Sequence, residues 1–129
     1  MTETATTRQQ ERIDGTVARY YRGLRDGDVG SLKQAFRPKA IVSGYIDTEL
    51  FVKPVQFLYQ YVRKNPSPTK RGDRFTCRIV RRAIAGRTAV VTLRERAYLG
   101  YDYVTNLQLV EIKQRWWIVS KLFSGTPSA

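Results

Sequence analysis

The chain has 129 residues, of which 42% are apolar, and its 23 basic and 11 acidic side chains give a formal net charge of +12. A chain of this length is expected to form one domain that buries a core without disulfides or metals. It has no histidine and one cysteine, Cys77, which excludes a His-based triad, an internal disulfide and a structural zinc site. No cofactor is indicated, and any proton transfer must rest on Asp, Glu, Tyr or Lys.

The distribution of apolar residues bears on the compartment. No apolar run approaches the ~20 residues that a membrane-spanning helix needs. The stretch from Met1 to Arg12 is polar and lacks the apolar centre of a signal peptide. Together with the single cysteine, these features predict a protein of the reducing cytoplasm, without membrane contact.

The positive charge is concentrated between Lys70 and Arg96, where nine basic residues outnumber two acidic ones. Many of them alternate with apolar residues, as they do on the solvated face of a strand. We therefore expect a charged outer face that keeps the protein in solution. Docking on nucleic acid or an acidic partner is the weaker alternative, and it requires binding with a steep salt dependence.

The first half of the chain predicts helices around one strand pair. Residues 1–7 are expected to form a tail, and Thr7 is expected to cap a helix. That helix buries a single stripe: Ile13, Val17, Tyr20, Tyr21 and Leu24. Asp28 caps a short second helix, which Pro38 ends.

A strand pair and a third helix follow. Ala40 to Ile46 has the pattern of a strand, Asp47-Thr48 suits a turn, and Leu50 to Val52 is expected to be extended. The third helix is predicted from Pro54 to Lys64, because apolar residues again repeat at helical spacing.

After the proline-rich stop at 65–68 the apolar period changes from 3.6 to 2, which predicts four strands. Turns are expected at Gly86, near Gly100 and at Lys113-Gln114. The order α-α-β-β-α-β-β-β-β predicts an α+β domain, a cystatin-like cone whose curved, mixed or antiparallel sheet wraps round helices. Residues 8–124 are expected to be ordered in a single domain, with tails at 1–7 and 125–129.

Two segments carry a family resemblance. The first contains Arg19-Tyr20, a helix end at Gly27-Asp28, and then Phe36, Pro38 and Ala40. It resembles the opening of the nuclear-transport-factor-two-like superfamily, which includes the ketosteroid isomerases and SnoaL-like proteins. The last strand, Trp116 to Phe123, resembles that of the branch named for lumazine binding. The resemblance implies the cone fold but leaves the function open, because this fold hosts isomerases, dehydratases, cyclases and non-catalytic modules.

The ketosteroid-isomerase machinery is only partly present under this resemblance. Its oxyanion tyrosine falls on Tyr20, and its second oxyanion donor falls on Asn106 or Gln108, both of which are amides. Its general base falls on Gly44, which cannot accept a proton. Steroid isomerisation by this set is therefore not expected, since a lost base typically costs about 10²–10⁴ in rate.

Asp47 is the carboxylate closest in sequence to Gly44, and we take it as the candidate base ahead of Glu49, Glu95 and Asp102. Turn chemistry explains Asp47 equally well. The candidate catalytic residues are thus Tyr20 and Asp47.

The candidate ligand-binding residues combine aromatic, apolar and polar side chains. They are Tyr20, Tyr45, Leu58, Arg94, Asn106, Gln108 and Trp116. Four of them have an alternative explanation: Tyr20 also suits a core position, whereas Arg94 and the two amides also suit the surface if their strand faces point outward. Trp116 and Trp117 must lie on opposite sides of the last strand, and Cys77 is expected to be an inert buried thiol.

These observations predict a small-molecule-binding domain with an apolar pocket and an unassigned ligand. The alternative is an isomerase, lyase or cyclase that uses an oxyanion-stabilising Tyr and amide with a carboxylate base. A carboxylate inside the pocket within reach of Tyr20 would favour the enzyme, and a wholly apolar lining would exclude it. The resemblance also implies a homodimer formed through the outer sheet face.

Overall fold

The computed structural model describes the backbone of residues 2–129 and side chains from residue 7 onward. The elements are α1 (Thr2–Asp26), α2 (Val29–Lys33), β1 (Phe36–Ile46), β2 (Glu49–Pro54), α3 (Val55–Lys64), α4 (Pro68–Arg71), β3 (Thr76–Ala85), β4 (Thr88–Tyr98), β5 (Tyr101–Ile112) and β6 (Arg115–Pro127). None of the described helices is long and apolar enough to cross a membrane.

The strands form one sheet in the order β2-β1-β6-β5-β4-β3. β1 runs parallel to β6, and all other neighbours are antiparallel, so the sheet is mixed. The predicted α+β class, a cystatin-like cone of sheet and helices, is confirmed.

Several element boundaries differ from those predicted. α1 begins at Thr2, so residues 2–7, which the sequence predicts to be a tail, belong to a helix. Met1 lies outside the described residues. β1 begins at Phe36, because the neighbouring Ala35 carbonyl already accepts a hydrogen bond from Ile118 of β6 at 2.8 Å. β6 continues to Pro127 because it keeps pairing with β5, which removes most of the expected C-terminal tail. α4 was not expected from the sequence.

The core lies between the helices and one face of the sheet. The predicted stripe of α1 is buried except for Tyr21, which packs at its edge. The apolar face of α3 and the inward residues of β4 and β5 contribute a large part of the core: Val55, Leu58, Tyr59, Val62, Val91, Leu93, Leu107 and Leu109. All nine basic residues between Lys70 and Arg96 are exposed, but they do not share one outer sheet face. Arg94 and Arg96 lie on the outer face of β4, whereas Arg82 forms an ion pair with Asp14 of α1 at 2.7 Å, and Lys70 and Arg71 lie on α4.

A bulge in β6 decides which of its side chains enter the core. Leu109 pairs with Ile118 and Gln108 with Ser120, so Val119 has no partner on β5. Trp116 and Ile118 point inward before the bulge, and Lys121 and Phe123 take the inner positions after it. An extra residue reverses the alternation of a strand. The bulge therefore buries a lysine where strict alternation would have placed Ser120.

Candidate functional site

A cavity lies between α3 and the sheet. It offers about 60 Å³ to the centres of water-sized molecules, which corresponds to roughly four waters or a small organic molecule. Most of its wall is aromatic or aliphatic: Leu24, Val42, Ile46, Phe51, Phe57, Leu58, Tyr61, Tyr98, Tyr103 and Phe123. Two charged side chains, Glu95 and Lys121, complete the described lining.

Glu95 projects from the inner face of β4 and is only 3% exposed. Its Oε2 accepts a hydrogen bond from the Tyr20 hydroxyl at 2.8 Å, and its Oε1 accepts one from the Thr105 hydroxyl. These donors offset part of the cost of removing a carboxylate from water. Each oxygen retains a second lone pair, so the carboxylate can still accept a proton from a molecule in the cavity.

Tyr20 holds this carboxylate from the opposite layer. It is fully buried on α1, and its ring meets Phe36 edge to face at 5.9 Å between centroids. Burial, reinforced by the charge of Glu95, raises the pKa of Tyr20 well above its ordinary value of 10.0. The side chain therefore stays a neutral phenol that donates a hydrogen bond to Glu95.

Lys121 follows the bulge in β6 and is 9% exposed. Its Nζ lies 5.1 Å from the ring centroid of Tyr20 and 5.6 Å from that of Phe123. Within the described residues it forms no hydrogen bond and no ion pair within 4.0 Å. Burial lowers the pKa of Lys121, and the charge of Glu95 opposes this shift in part. The neutral form of the amine is therefore more populated for Lys121 than for an exposed lysine.

The surroundings of this pair are poorly solvated. Burial, followed by the charge of Glu95, raises the pKa of the partly buried Cys77 thiol to about 12. Burial also raises the pKa of Tyr98 and Tyr103 above the ordinary value. No cluster of three or more Cys, Asp or Glu side chains that would suit a metal ion occurs in the part of the chain described. The cavity therefore offers a carboxylate and an amine in an otherwise apolar space.

Of the residues predicted from sequence, Tyr20 and Leu58 belong to this site. Leu58 lines the cavity, whereas Tyr20 lies behind Glu95 and contacts it directly. Asp47 does not reach the cavity, which corrects its assignment as the base. It is exposed in the β1–β2 turn at φ 56°, where its backbone N–H donates to Gly125 at 2.8 Å.

Four of the predicted ligand-binding residues lie on the outer sheet face instead of in the cavity. Tyr45, Arg94 and Gln108 are exposed, and Asn106 is half-buried with its Oδ1 accepting a hydrogen bond from Thr92 at 2.6 Å. The reason is strand parity, because the inner face of β5 is taken by Thr105, Leu107 and Leu109 and that of β4 by Val91, Leu93 and Glu95.

Trp116 points inward but lies in the core away from the cavity. It is fully buried, and its Nε1 has no hydrogen-bond partner among the described residues. Its carbonyl accepts a hydrogen bond from Thr16 of α1 at 2.8 Å, about two helical turns before the lining residue Leu24.

Gly44 has a steric explanation. Its φ is 144°, and a Cβ built on it would lie 1.8 Å from the carbonyl oxygen of Phe123 on the parallel strand β6. No side chain fits there without movement of the backbone. The position that the resemblance aligns with the isomerase base is therefore closed to an aspartate in this chain.

Sequence reasoning missed the two charged residues of the site for different reasons. Proximity in sequence to Gly44 favours Asp47 over Glu95, although the alternation of Glu95 with Val91 and Leu93 already indicates the inner face. Lys121 gave no such signal, because its burial depends on the bulge.

The model of the family described as "Putative lumazine-binding" matches residues 8–124. The chain belongs to this family. It is also 26% identical over 128 residues to aldolase FrzH from Cladobotryum sp., a match that covers 98% of this chain and 99% of that protein.

Solved structures described as NTF2-like share the fold of this chain. An NTF2-like protein of unknown function from Shewanella baltica OS155 superposes with a TM-score of 0.83 at 23% identity, over 95% of this chain and 97% of that one. Another, from Silicibacter pomeroyi DSS-3, gives a TM-score of 0.84 at 18% identity, over 94% and 98%. At these identities the likeness establishes the fold.

Proposed function

We propose that the protein is an enzyme that binds a small, mainly apolar carbonyl compound and moves a proton at the carbon next to the carbonyl group. The observation that carries this proposal is the Glu95 carboxylate, which lines the apolar cavity and is held by Tyr20 at 2.8 Å. A carboxylate in reach of Tyr20 is the feature expected of an enzyme and not of a passive binding module. The residue that supplies it is Glu95, whereas the sequence favours Asp47.

Energetics favour catalysis over binding alone. Burying a carboxylate and an amine costs folding free energy, and apolar residues of similar size are often neutral or stabilising in their place. An apolar ligand needs neither charge for affinity. Departures of this kind from the rules of core packing are typical of functional sites.

Each of the three polar groups has a role in the proposed reaction. Glu95 is the catalytic base that removes the α proton and returns it to the product. Tyr20 is a positioning residue, because it is fully buried behind Glu95 and orients its carboxylate. Lys121 faces the same cavity and acts on the carbonyl group, where negative charge develops.

The reaction class is drawn from the chemistry of the site and from one relative. Removal of an α proton gives an enol or its equivalent, which is the intermediate of both isomerisation and aldol reactions. The full-length similarity to a protein named as an aldolase supports the aldol type. The volume of the cavity favours a substrate of few heavy atoms.

The test is the exchange of α hydrogens of butanone and cyclopentanone for deuterium in D₂O, followed by proton NMR. The wild-type protein is expected to accelerate exchange, and Glu95→Gln to lose about 10²–10⁴ of that rate, the usual contribution of a general base. Asp47→Asn is the matched control, since it makes the same change at an exposed carboxylate. Equal rates for wild type and Glu95→Gln would overturn the proposal, as would a comparable loss in Asp47→Asn.

A homodimer is the second element of the proposal. Apolar side chains remain exposed in a groove on the outer sheet face: Tyr45, Leu50, Val52, Val104 and Leu122. We propose that a second copy packs the same surface against this groove about a two-fold axis. Nucleic acid does not suit this apolar groove, although Arg94 of β4 pairs with the lining residue Val104 at its edge.

A further inference from the structure

Lys121 differs from every other lysine of the chain. The remaining six, Lys33, Lys39, Lys53, Lys64, Lys70 and Lys113, are all exposed. Lys121 is 9% exposed, lines the cavity and contacts two aromatic rings, and no carboxylate of the described residues lies within 4.0 Å of its Nζ. A lysine that only balances the charge of Glu95 would be expected to touch it. Instead, the amine and the carboxylate face a common space.

We propose that Lys121 is a covalent nucleophile, whose Nζ forms an iminium ion with the carbonyl carbon of the substrate in the cavity. This inference rests on the proposed function, because it assigns the chemistry of Lys121 in the same site. It commits the substrate to aldehydes and ketones and sets aside esters, acids and amides, which do not form stable iminium ions.

The step balances with the groups that are present. A proton passes from the ammonium through a water molecule in the cavity to the Glu95 carboxylate, which leaves a neutral amine and a carboxylic acid. The amine lone pair forms the C–N bond while the C=O π electrons move to oxygen, and the N–H proton is relayed to that oxygen. Glu95 then protonates the hydroxyl, water leaves, and the nitrogen lone pair forms the C=N⁺ bond.

The next steps use the same two residues. The regenerated Glu95 carboxylate removes the α proton, and the electrons of the C–H bond form an enamine as the C=N⁺ bond becomes C–N. The enamine carbon attacks the carbonyl carbon of a second molecule, and Glu95 returns its proton to the new alkoxide. Addition of water to the iminium ion releases the aldol product and the free lysine. No oxidant, reductant or metal enters.

The environment of Lys121 suits the first step. An amine must be neutral to attack a carbonyl group, and burial lowers the pKa of Lys121. The nearby rings of Tyr20 and Phe123 interact with the Lys121 ammonium and then with the iminium ion, so they stabilise the positive charge in an otherwise apolar cavity. Thr105 and Tyr20 fix Glu95 so that it can relay protons.

The experiment traps the iminium ion. Full-length protein is incubated with butanone and cyanoborohydride near neutral pH, and the mass of the intact chain and of its peptides is measured. We expect one butyl group, located on residue 121 in wild type and in Lys113→Met, and no label at that site in Lys121→Met or Lys121→Arg. Lys113→Met is the matched control because Lys113 is exposed.

The outcomes separate the two proposals. Label spread evenly over the exposed lysines of folded wild-type protein would overturn the covalent role, and peptide mapping of wild type alone suffices should the variants fail to fold. Glu95-dependent exchange of α hydrogens without label at Lys121 would overturn this inference and leave the proposed function intact. Absence of both the exchange of α hydrogens and the label at Lys121 would contradict the proposed function and the covalent role of Lys121.

Discussion

The hydroxyl of Tyr20 on α1 donates a 2.8 Å hydrogen bond to the carboxylate of Glu95 on β4, 75 positions away in the chain. Both side chains are buried, so this contact joins the helical layer to the sheet through a charged group. It also fixes the only carboxylate that lines the described cavity. The same contact therefore connects two layers of the fold and positions the carboxylate of the site.

Replacement of Tyr20 by Phe should destabilise the protein. The carboxylate of Glu95 loses a buried donor, and hydrogen bonds to charged groups contribute about 1.5–3 kcal/mol. Tyr21→Phe is the matched control, because its hydroxyl donates at the same 2.8 Å to a neutral carbonyl, that of Phe75, and we expect a loss of about 1 kcal/mol. Urea denaturation measures both free energies of unfolding. Equal losses would show that the charge of Glu95 adds nothing.

Replacement of Gly44 by Asp should not create the missing isomerase base. Any Cβ there meets the backbone of Phe123, so Gly44→Asp and Gly44→Ala should both lower the melting temperature strongly. Gly86→Ala is the control: Gly86 also has positive φ, at 60°, but a Cβ on it meets nothing within 4 Å, and a cost of about 1 kcal/mol is expected. Similar melting temperatures for Gly44→Ala and Gly86→Ala would refute the steric explanation.

Cys77 should react slowly in the folded protein. Its pKa is raised from 9.0 to about 12, so at pH 8.5 its thiolate is scarcer than in the unfolded chain, and alkylation should be slower by roughly 10²–10³-fold. Because the pKa is raised, the rate should keep increasing as pH rises above 9. Iodoacetamide labelling with and without urea, followed by mass spectrometry, checks this. A native rate that levels off near pH 9 would contradict the assigned environment.

Leu122→Lys should separate the proposed homodimer into single chains. Leu122 is 53% exposed in the apolar groove, and a charge there would be buried without a partner in the dimer. Val90→Lys serves as control, since Val90 is 38% exposed on β4 outside that groove and should leave the assembly unchanged. Light scattering after size-exclusion chromatography gives the mass. A monomeric wild-type protein would rule out the dimer.

Much of the fold follows from local pattern. The stripe on α1, the change of period after residue 68 and the turn at Lys113-Gln114, where both residues have positive φ, each depend on neighbours in sequence. Asp28 caps α2 as expected, its carboxylate accepting from Ser31 at 3.1 Å. Such signals require no knowledge of distant strands.

The site depends on register and could not be predicted in the same way. Whether Thr105 or Asn106 faces inward is set by how β5 sits between β4 and β6. The burial of Lys121 requires the bulge at Val119, which arises from pairing with β5. The alternation of apolar and polar residues along β6 does not indicate this bulge. Local patterns place Tyr20, Leu58 and Glu95 on inward faces, whereas the position of Lys121 depends on the bulge.

The ratio of α-hydrogen exchange rates of butanone with wild-type protein and with Glu95→Gln tests the central claim most directly. If the buried carboxylate is a base, this ratio is at least about 10² once the rate in buffer is subtracted. A ratio of one, in variants that are equally folded, would contradict the assignment of Glu95 as the catalytic group of this cavity.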